Sequence, residues 1–114
     1  MNVVIIKGRL TKDIEVKEYD KDGKTVSCAN FSIAIQRDKN KGCDFIPCLA
    51  WGKTAENLKK YCVKGQEISC MGSWKTGSYA KNGGTIYTHT CEISRFEFCG
   101  KKEEAEEEEE IPFN

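Results

Sequence analysis

Three aromatic rings and a spread of basic side chains are the residues of this chain best suited to chemistry. Phe45 and Trp51 are six residues apart in a segment that reads as a strand. On an extended strand they therefore share one side. Tyr79 stands between Ser78 and Ala80, with Gly77, Gly83 and Gly84 nearby. That stretch reads as a flexible loop with no core for the ring to enter, which leaves its face open for stacking. Lys7, Arg9 and Lys81 add positive charge close to these segments. The competing reading is packing: a tryptophan on a strand is ordinarily core, and Phe45 would share that fate. Trp74 and Tyr87 read as structural.

A thiol offers different chemistry. There are seven cysteines, at positions 28, 43, 48, 62, 70, 91 and 99, an odd number with no C-x-x-C spacing. This argues against a disulfide framework and, with a lone His89, against a zinc site. Cys28, Cys70 and Cys91 read instead as small hydrophobes inside strands. His89 and Cys91 would share a strand face as a thiol–imidazole pair, yet no orienting acid or oxyanion donor stands at a recognisable spacing. No catalysis, cofactor or metal is expected.

The formal net charge of zero conceals a division. Residues 1–102 hold all 18 basic side chains against 11 acids, a surplus of seven, and the remaining seven acids lie in residues 103–110. A basic body with an acidic tail suits a polyanion binder whose tail guards the basic surface. Consecutive glutamates repel one another and keep their water, so residues 101–114 are expected to be disordered. The chain then closes with Ile111-Pro112-Phe113-Asn114, an apolar tip with no core to join. Ile111, Pro112 and Phe113 read as a hook for other proteins. No apolar run reaches the length of a membrane span and no basic-then-apolar leader precedes the first strand pattern, so a cytoplasmic protein is expected.

The elements that must position these groups are mostly strands. Residues 2–10 are β-branched and aliphatic, with Gly8 marking a bulge or bend. The alternation of residues 13–19 continues that strand round a corner. A turn at residues 21–24 leads to a strand over 25–36, whose inward set changes parity and implies a bulge near Ala29-Asn30. After a charged loop over 37–43 comes a third strand, 44–51. Its two faces are Phe45, Pro47, Leu49, Trp51 and Ile46, Cys48, Ala50, and Pro47 implies exposed or irregular pairing. Thr54 caps a helix over 55–64 with the stripe Ala55, Leu58, Tyr61 and Cys62, ended by Gly65. A fourth strand, 66–76, bends near Gly72, and a long loop over 77–84 leads to a fifth, 85–99. Five strands with one helix between the third and fourth are the order of an OB-fold, a mainly β Greek-key barrel. This gives one domain over residues 1–100 and a tail over 101–114.

The runs V-I-I-K-G-R-L-T-K-D-I-E-V, N-F-S-I-A-I and F-I-P-C-L-A-W-G-K-T-A-E-N-L-K-K-Y-C-V-K-G resemble the bacterial single-stranded DNA-binding protein family over most of residues 1–100. The acidic end with Ile-Pro-Phe resembles that family's tail. The resemblance implies sequence-independent binding of single-stranded DNA during replication, recombination and repair. It also implies recruitment of replication and repair enzymes by the tip, and a homo-oligomer, tetramer favoured over dimer. By resemblance Phe45, Trp51 and Tyr79 fall at base-stacking positions, and Lys53, Lys64 and Lys75 at basic positions along the DNA. Such rings and cations suit unstacked bases and a charged backbone.

The chain also departs from the family pattern. Gln36-Arg37-Asp38 stands where relatives usually carry a stacking tryptophan, and the Arg37 guanidinium partly replaces it. Pro47 and Gly77 take positions that are often basic, and Ile46 one where a subunit-packing histidine is common. Asn114 moves the terminal carboxylate one residue beyond the phenylalanine. The spacer before the tip, about ten residues, has a mean reach of roughly 15–20 Å. Such compactness suits a phage or other mobile genome. An RNA-binding or adaptor OB domain is the alternative class.

Overall fold

The computed structural model describes residues 1–99, and the side chain of Asn40 and everything from Gly100 onward are not described. The acidic run and the Ile111-Pro112-Phe113 hook lie outside the described residues. The elements are β1 (Val4–Leu10), β2 (Val16–Lys21), β3 (Lys24–Gln36), a 3-10 turn (Asp38–Asn40), β4 (Cys43–Trp51), α1 (Gly52–Tyr61), β5 (Glu67–Lys81) and β6 (Gly84–Phe98).

The strands form one sheet in the order β1-β5-β6-β4-β3-β2, which closes on itself because β1 also pairs with β3. Val4 to Arg9 lie against Gly72 to Glu67, while Arg9 and Leu10 also face Ala34 and Ile33. β1 and β2 are thus the two halves of one strand turned round a corner, as the alternation implied, and the barrel is the expected OB-fold. The close approach that lets β1 serve two neighbours falls at Gly8. A Cβ there would stand 2.4 Å from the Ala34 carbonyl oxygen and 2.6 Å from Ile33 Cγ2. Only hydrogen fits that corner.

The core is aliphatic and thiol. Leu10, Ala29, Ile33, Cys48, Ala50, Ile68, Cys70, Cys91 and Ile93 line the barrel, and Ala55 and Leu58 of α1 plug its end. Cys28, Cys48, Cys70 and Cys91 are buried and all seven thiols are free. Burial pushes the Cys70 thiol up to about 12, and it pushes Cys48 higher still, helped by the neighbouring Cys70 and Cys91. Burial also raises the Cys91 thiol, so no reactive thiolate stands beside His89. The His89 ring instead lies 6.1 Å from the Trp74 ring.

Several local expectations are corrected. The predicted loop over 77–84 is strand up to Lys81, closed by a two-residue turn with Asn82 at φ 51° and Gly83 at φ 79°. Asn-Gly is the pairing such a hairpin turn favours, and it outweighed the neighbouring small residues. No bulge occurs near Ala29-Asn30, because the β3–β4 register runs unbroken from Cys28↔Trp51 to Gln36↔Cys43. The parity change arises because Ser27, Cys28 and Ala29 are buried in succession, with Ser27 Oγ donating to Glu56 Oε2 of α1 at 3.1 Å. The slip lies instead between Met71 and Gly72, close to the predicted bend, and Ser94 is the extra residue on β6.

The helix begins at Gly52, and its N-cap Trp51 makes no side-chain capping bond, so Thr54 lies within the first turn rather than capping it. It ends at Tyr61, which is exposed, and Cys62 is already extended. Gly65 does have a positive φ, but in the following turn, where its N–H donates to the Leu10 carbonyl at 2.8 Å.

Candidate functional site

β4 sorts its side chains by parity. Ile46, Cys48 and Ala50 face inward, while Phe45, Pro47 and Trp51 are exposed. Cys48, Leu49 and Ala50 also pair in parallel with Cys91, Glu92 and Ile93 of β6. Pro47 stands just before that three-residue stretch, where β4 has no neighbour on the β6 side, which is where proline is tolerated. The exposures of Phe45 at 63%, Trp51 at 39% and Tyr79 at 52% decide against the core reading for all three rings.

The registers put these rings on one face. Leu49 pairs with Glu92, and Glu92 with Ser73, so Leu49, Glu92 and Ser73 point the same way. Counting by twos, Phe45 and Trp51 join that outward face from β4, and Lys75, Tyr79 and Lys81 join it from β5. The β5–β6 pairing is continuous from Gly72 to Lys81, so nothing flips Tyr79 to the other side. Tyr79 is therefore a strand residue, not a loop residue.

The predicted cations divide. Lys75 and Lys81 are on the outward face with Tyr79, and exposed Lys53 lies in the first turn of α1, two residues after Trp51. Gly52 makes that junction with φ 59°, turning the chain away immediately behind the Trp51 ring. Arg9 is closer to the rings than its position in sequence suggests. It pairs with Ala34, and Ala34 pairs with Phe45, so Arg9 and Phe45 are two strand spacings apart, about 10 Å along the sheet. Its Nη1 donates to the Gly65 carbonyl at 2.9 Å. Lys7 points outward farther round the barrel, opposite Ser69. Lys64 is exposed beyond the helix, and its backbone N–H donates to Asp13 Oδ1.

Arg37 is already engaged. Its Nε and Nη2 both donate to Asp44 Oδ1, at 2.9 and 2.6 Å. That hydrogen bonding and the adjacent charge hold the Asp44 carboxyl below the usual carboxylate range and raise the Arg37 guanidinium. The pair closes the loop after β3, where the Arg37 N–H also donates to the Gly42 carbonyl at 2.8 Å.

Sequence reasoning missed two neighbours of Trp51. The Tyr19 ring centroid lies 6.4 Å from that of Trp51, and Lys21 Nζ stands 5.9 Å from the Trp51 centroid. An exposed cation–π contact contributes about 0.5–1 kcal/mol, less than the roughly 1–3 kcal/mol of a base stacked on an aromatic ring. The signal was the alternation in Lys17-Glu18-Tyr19-Asp20-Lys21, legible once the hairpin pairing is known. Tyr87, read as structural, is 72% exposed, opposite Ser78 on the other face of the β5–β6 hairpin.

On the outward face an open groove of about 500 Å³ runs from Trp51 and Thr54 past Glu92 and Ser94 to Met71 and Ser73. Flat rings beside mobile ammonium groups can hold a ligand that is both planar and anionic. Among the described residues no cluster of histidine, cysteine and carboxylate side chains suits a metal ion.

Comparison with known proteins agrees with that chemistry. The profile of the single-strand binding protein family matches residues 1–99. The chain belongs to this family. A single-stranded DNA-binding protein of Clostridium perfringens is 40% identical over 100 residues, covering 86% of this chain and 65% of its own length. Single-stranded DNA-binding protein 1 of Streptococcus pyogenes is 35% identical over 109 residues, covering 90% and 82%. Single-stranded DNA-binding protein 2 of Clostridium acetobutylicum is 43% identical over 89 residues, covering 75% and 65%. The chain thus spans just under two thirds of the length of the Clostridium perfringens protein. The single-strand binding protein family is non-enzymatic.

Proposed function

We propose that this chain binds single-stranded DNA without sequence preference, stacking bases on Phe45, Trp51 and Tyr79 and pairing phosphates with Lys53, Lys75, Lys81 and Arg9. Lys7, Lys64 and Arg37 extend the basic surface. The observation that carries this reading is the exposure of three rings on one outward face of a barrel from a DNA-binding family. Every base has a π-face, so rings of this kind tolerate any sequence. The protein coats exposed strands during replication, recombination and repair as a homotetramer in the cytoplasm, at the nucleoid. Its Ile111-Pro112-Phe113 tip recruits the enzymes that act there, at the end of an acidic leash.

Titration of the full chain with oligo-dT tests the proposal. Tryptophan fluorescence falls as bases stack, and log K falls with log salt at a slope of roughly −3 for about four phosphates per protomer. Competition with duplex DNA and with matched RNA tests selectivity. A flat salt response, or duplex binding of equal strength, overturns the reading. Removing residues 111–114 leaves DNA affinity intact or raises it and abolishes capture of partner enzymes.

A further inference from the structure

The outward face that carries Phe45, Trp51 and Tyr79 also carries an acid. Cys91 and Ile93 of β6 are buried, so Glu92 between them points outward, half-buried by its neighbours. It pairs with Leu49 of β4 on one side and with Ser73 of β5 on the other. Trp51 is two residues beyond Leu49, which puts the Cα atoms of Trp51 and Glu92 about 8 Å apart by strand geometry. Both residues line the same open groove of about 500 Å³, together with Thr54 and Ser73.

The Glu92 carboxylate is uncommitted. Arg37 is held by Asp44 and Arg95 by Glu97, and among the described residues no hydrogen bond or ion pair engages Glu92. Lys75, the outward cation of that part of β5, lies opposite Thr90 rather than Glu92. A carboxylate weakens binding wherever a phosphate passes close by, because like charges repel. Between stacking rings, with phosphates drawn to Lys53, Lys75 and Lys81, it faces bases instead.

An ionised carboxylate only accepts hydrogen bonds, through two oxygens. Guanine alone among the bases has two donors side by side on its Watson–Crick edge, N1–H and the N2 amino group. Adenine and cytosine set an acceptor nitrogen beside their amino group, and thymine flanks its one N–H with two carbonyls. Each of those edges turns a lone pair toward a carboxylate oxygen. A two-pronged, charge-assisted pair with guanine is the strong arrangement.

We propose that Glu92 makes one stacking position selective: a guanine on the Trp51 ring donates N1–H and N2–H to the Glu92 carboxylate. Strands of any sequence bind, and those with guanine settle in the register that places it there. This deepens the proposed function and rests on it. The alternative is an acid that weakens the binding of every strand alike.

Anisotropy titration of the full chain separates the two, using labelled oligo-dT with guanine at every fourth position and the same strand with hypoxanthine there. Hypoxanthine is guanine without the N2 amino group. The guanine strand binds about 3- to 30-fold more tightly than the hypoxanthine strand, the range of one good base-edge contact. Glu92→Gln and Glu92→Val, which remove the paired acceptor oxygens, bring that ratio to within about twofold of unity. Equal binding of the two strands by the unsubstituted protein, or a guanine preference that survives both substitutions, overturns the assignment while leaving the proposed function standing. No binding of plain oligo-dT by the unsubstituted protein overturns both.

Discussion

The inside and the outside of the barrel are built from the same strands and obey opposite rules. On β4, Cys48 and Ala50 point inward and are almost wholly covered, while Phe45 and Trp51, at positions of the opposite parity, stand in solvent. The interior is small and neutral: alanines, aliphatic side chains and thiols whose ionisation burial suppresses. The exterior carries the large rings and the cations. Large apolar side chains usually go inside, and the rings grouped outside on β4 and β5 are the surface proposed here to meet single-stranded DNA. The difference teaches that interior substitutions act on stability and exterior ones on binding, with little crossover.

The largest separation is expected from the barrel plug. Leu58→Ala removes a fully buried side chain and costs about 2–5 kcal/mol of stability, read by denaturant unfolding. Any oligo-dT affinity of the fraction that remains folded stays near the parent value.

An interior effect of comparable size comes from pH. Cys48 and Cys70 have folded-state ionisation raised above the ordinary thiol value of 9.0. The unfolded chain therefore loses these protons first as pH rises. Stability is complete below about pH 9 and falls as pH climbs from there toward 12, by about 1.4 kcal/mol per pH unit for each such thiol. Thermal unfolding between pH 8 and 11 measures it, and Cys70→Ala flattens the decline.

The smallest effect is on the exterior. Lys75→Gln leaves unfolding unchanged and reduces the salt slope of oligo-dT binding by about 0.7, the share of one phosphate on a single strand. An unfolding midpoint shifted as far as that of Leu58→Ala would erase the distinction between the two faces.

Much of this was legible in the sequence, because strand parity and turn chemistry are local. The corner between β1 and β2, the two faces of β4, the plug between β4 and β5 and the buried Cys70 and Cys91 all follow from alternation and residue type, whereas Cys28 is buried at a position of the outward parity, opposite Trp51. What failed depended on partners distant in sequence. Tyr79 looked like a loop residue because Gly77 and Ser78 weaken strand propensity, but β6 runs opposite them to Gly84 and holds them extended. The apparent bulge at Ala29-Asn30 was burial from a second side, supplied by Glu56 of α1. Tyr19 and Lys21 carried no signal alone. They gain meaning only when β3 sets them beside Trp51.

Simultaneous replacement of Phe45, Trp51 and Tyr79 by alanine, with folding followed by circular dichroism and binding by anisotropy of labelled oligo-dT, reaches the shared aromatic face in one step. The rings are exposed, so the variant is expected to unfold within a few degrees of the parent while losing at least about 100-fold in affinity. Undiminished binding by a folded triple variant would contradict the assignment of the outward face to single-stranded DNA.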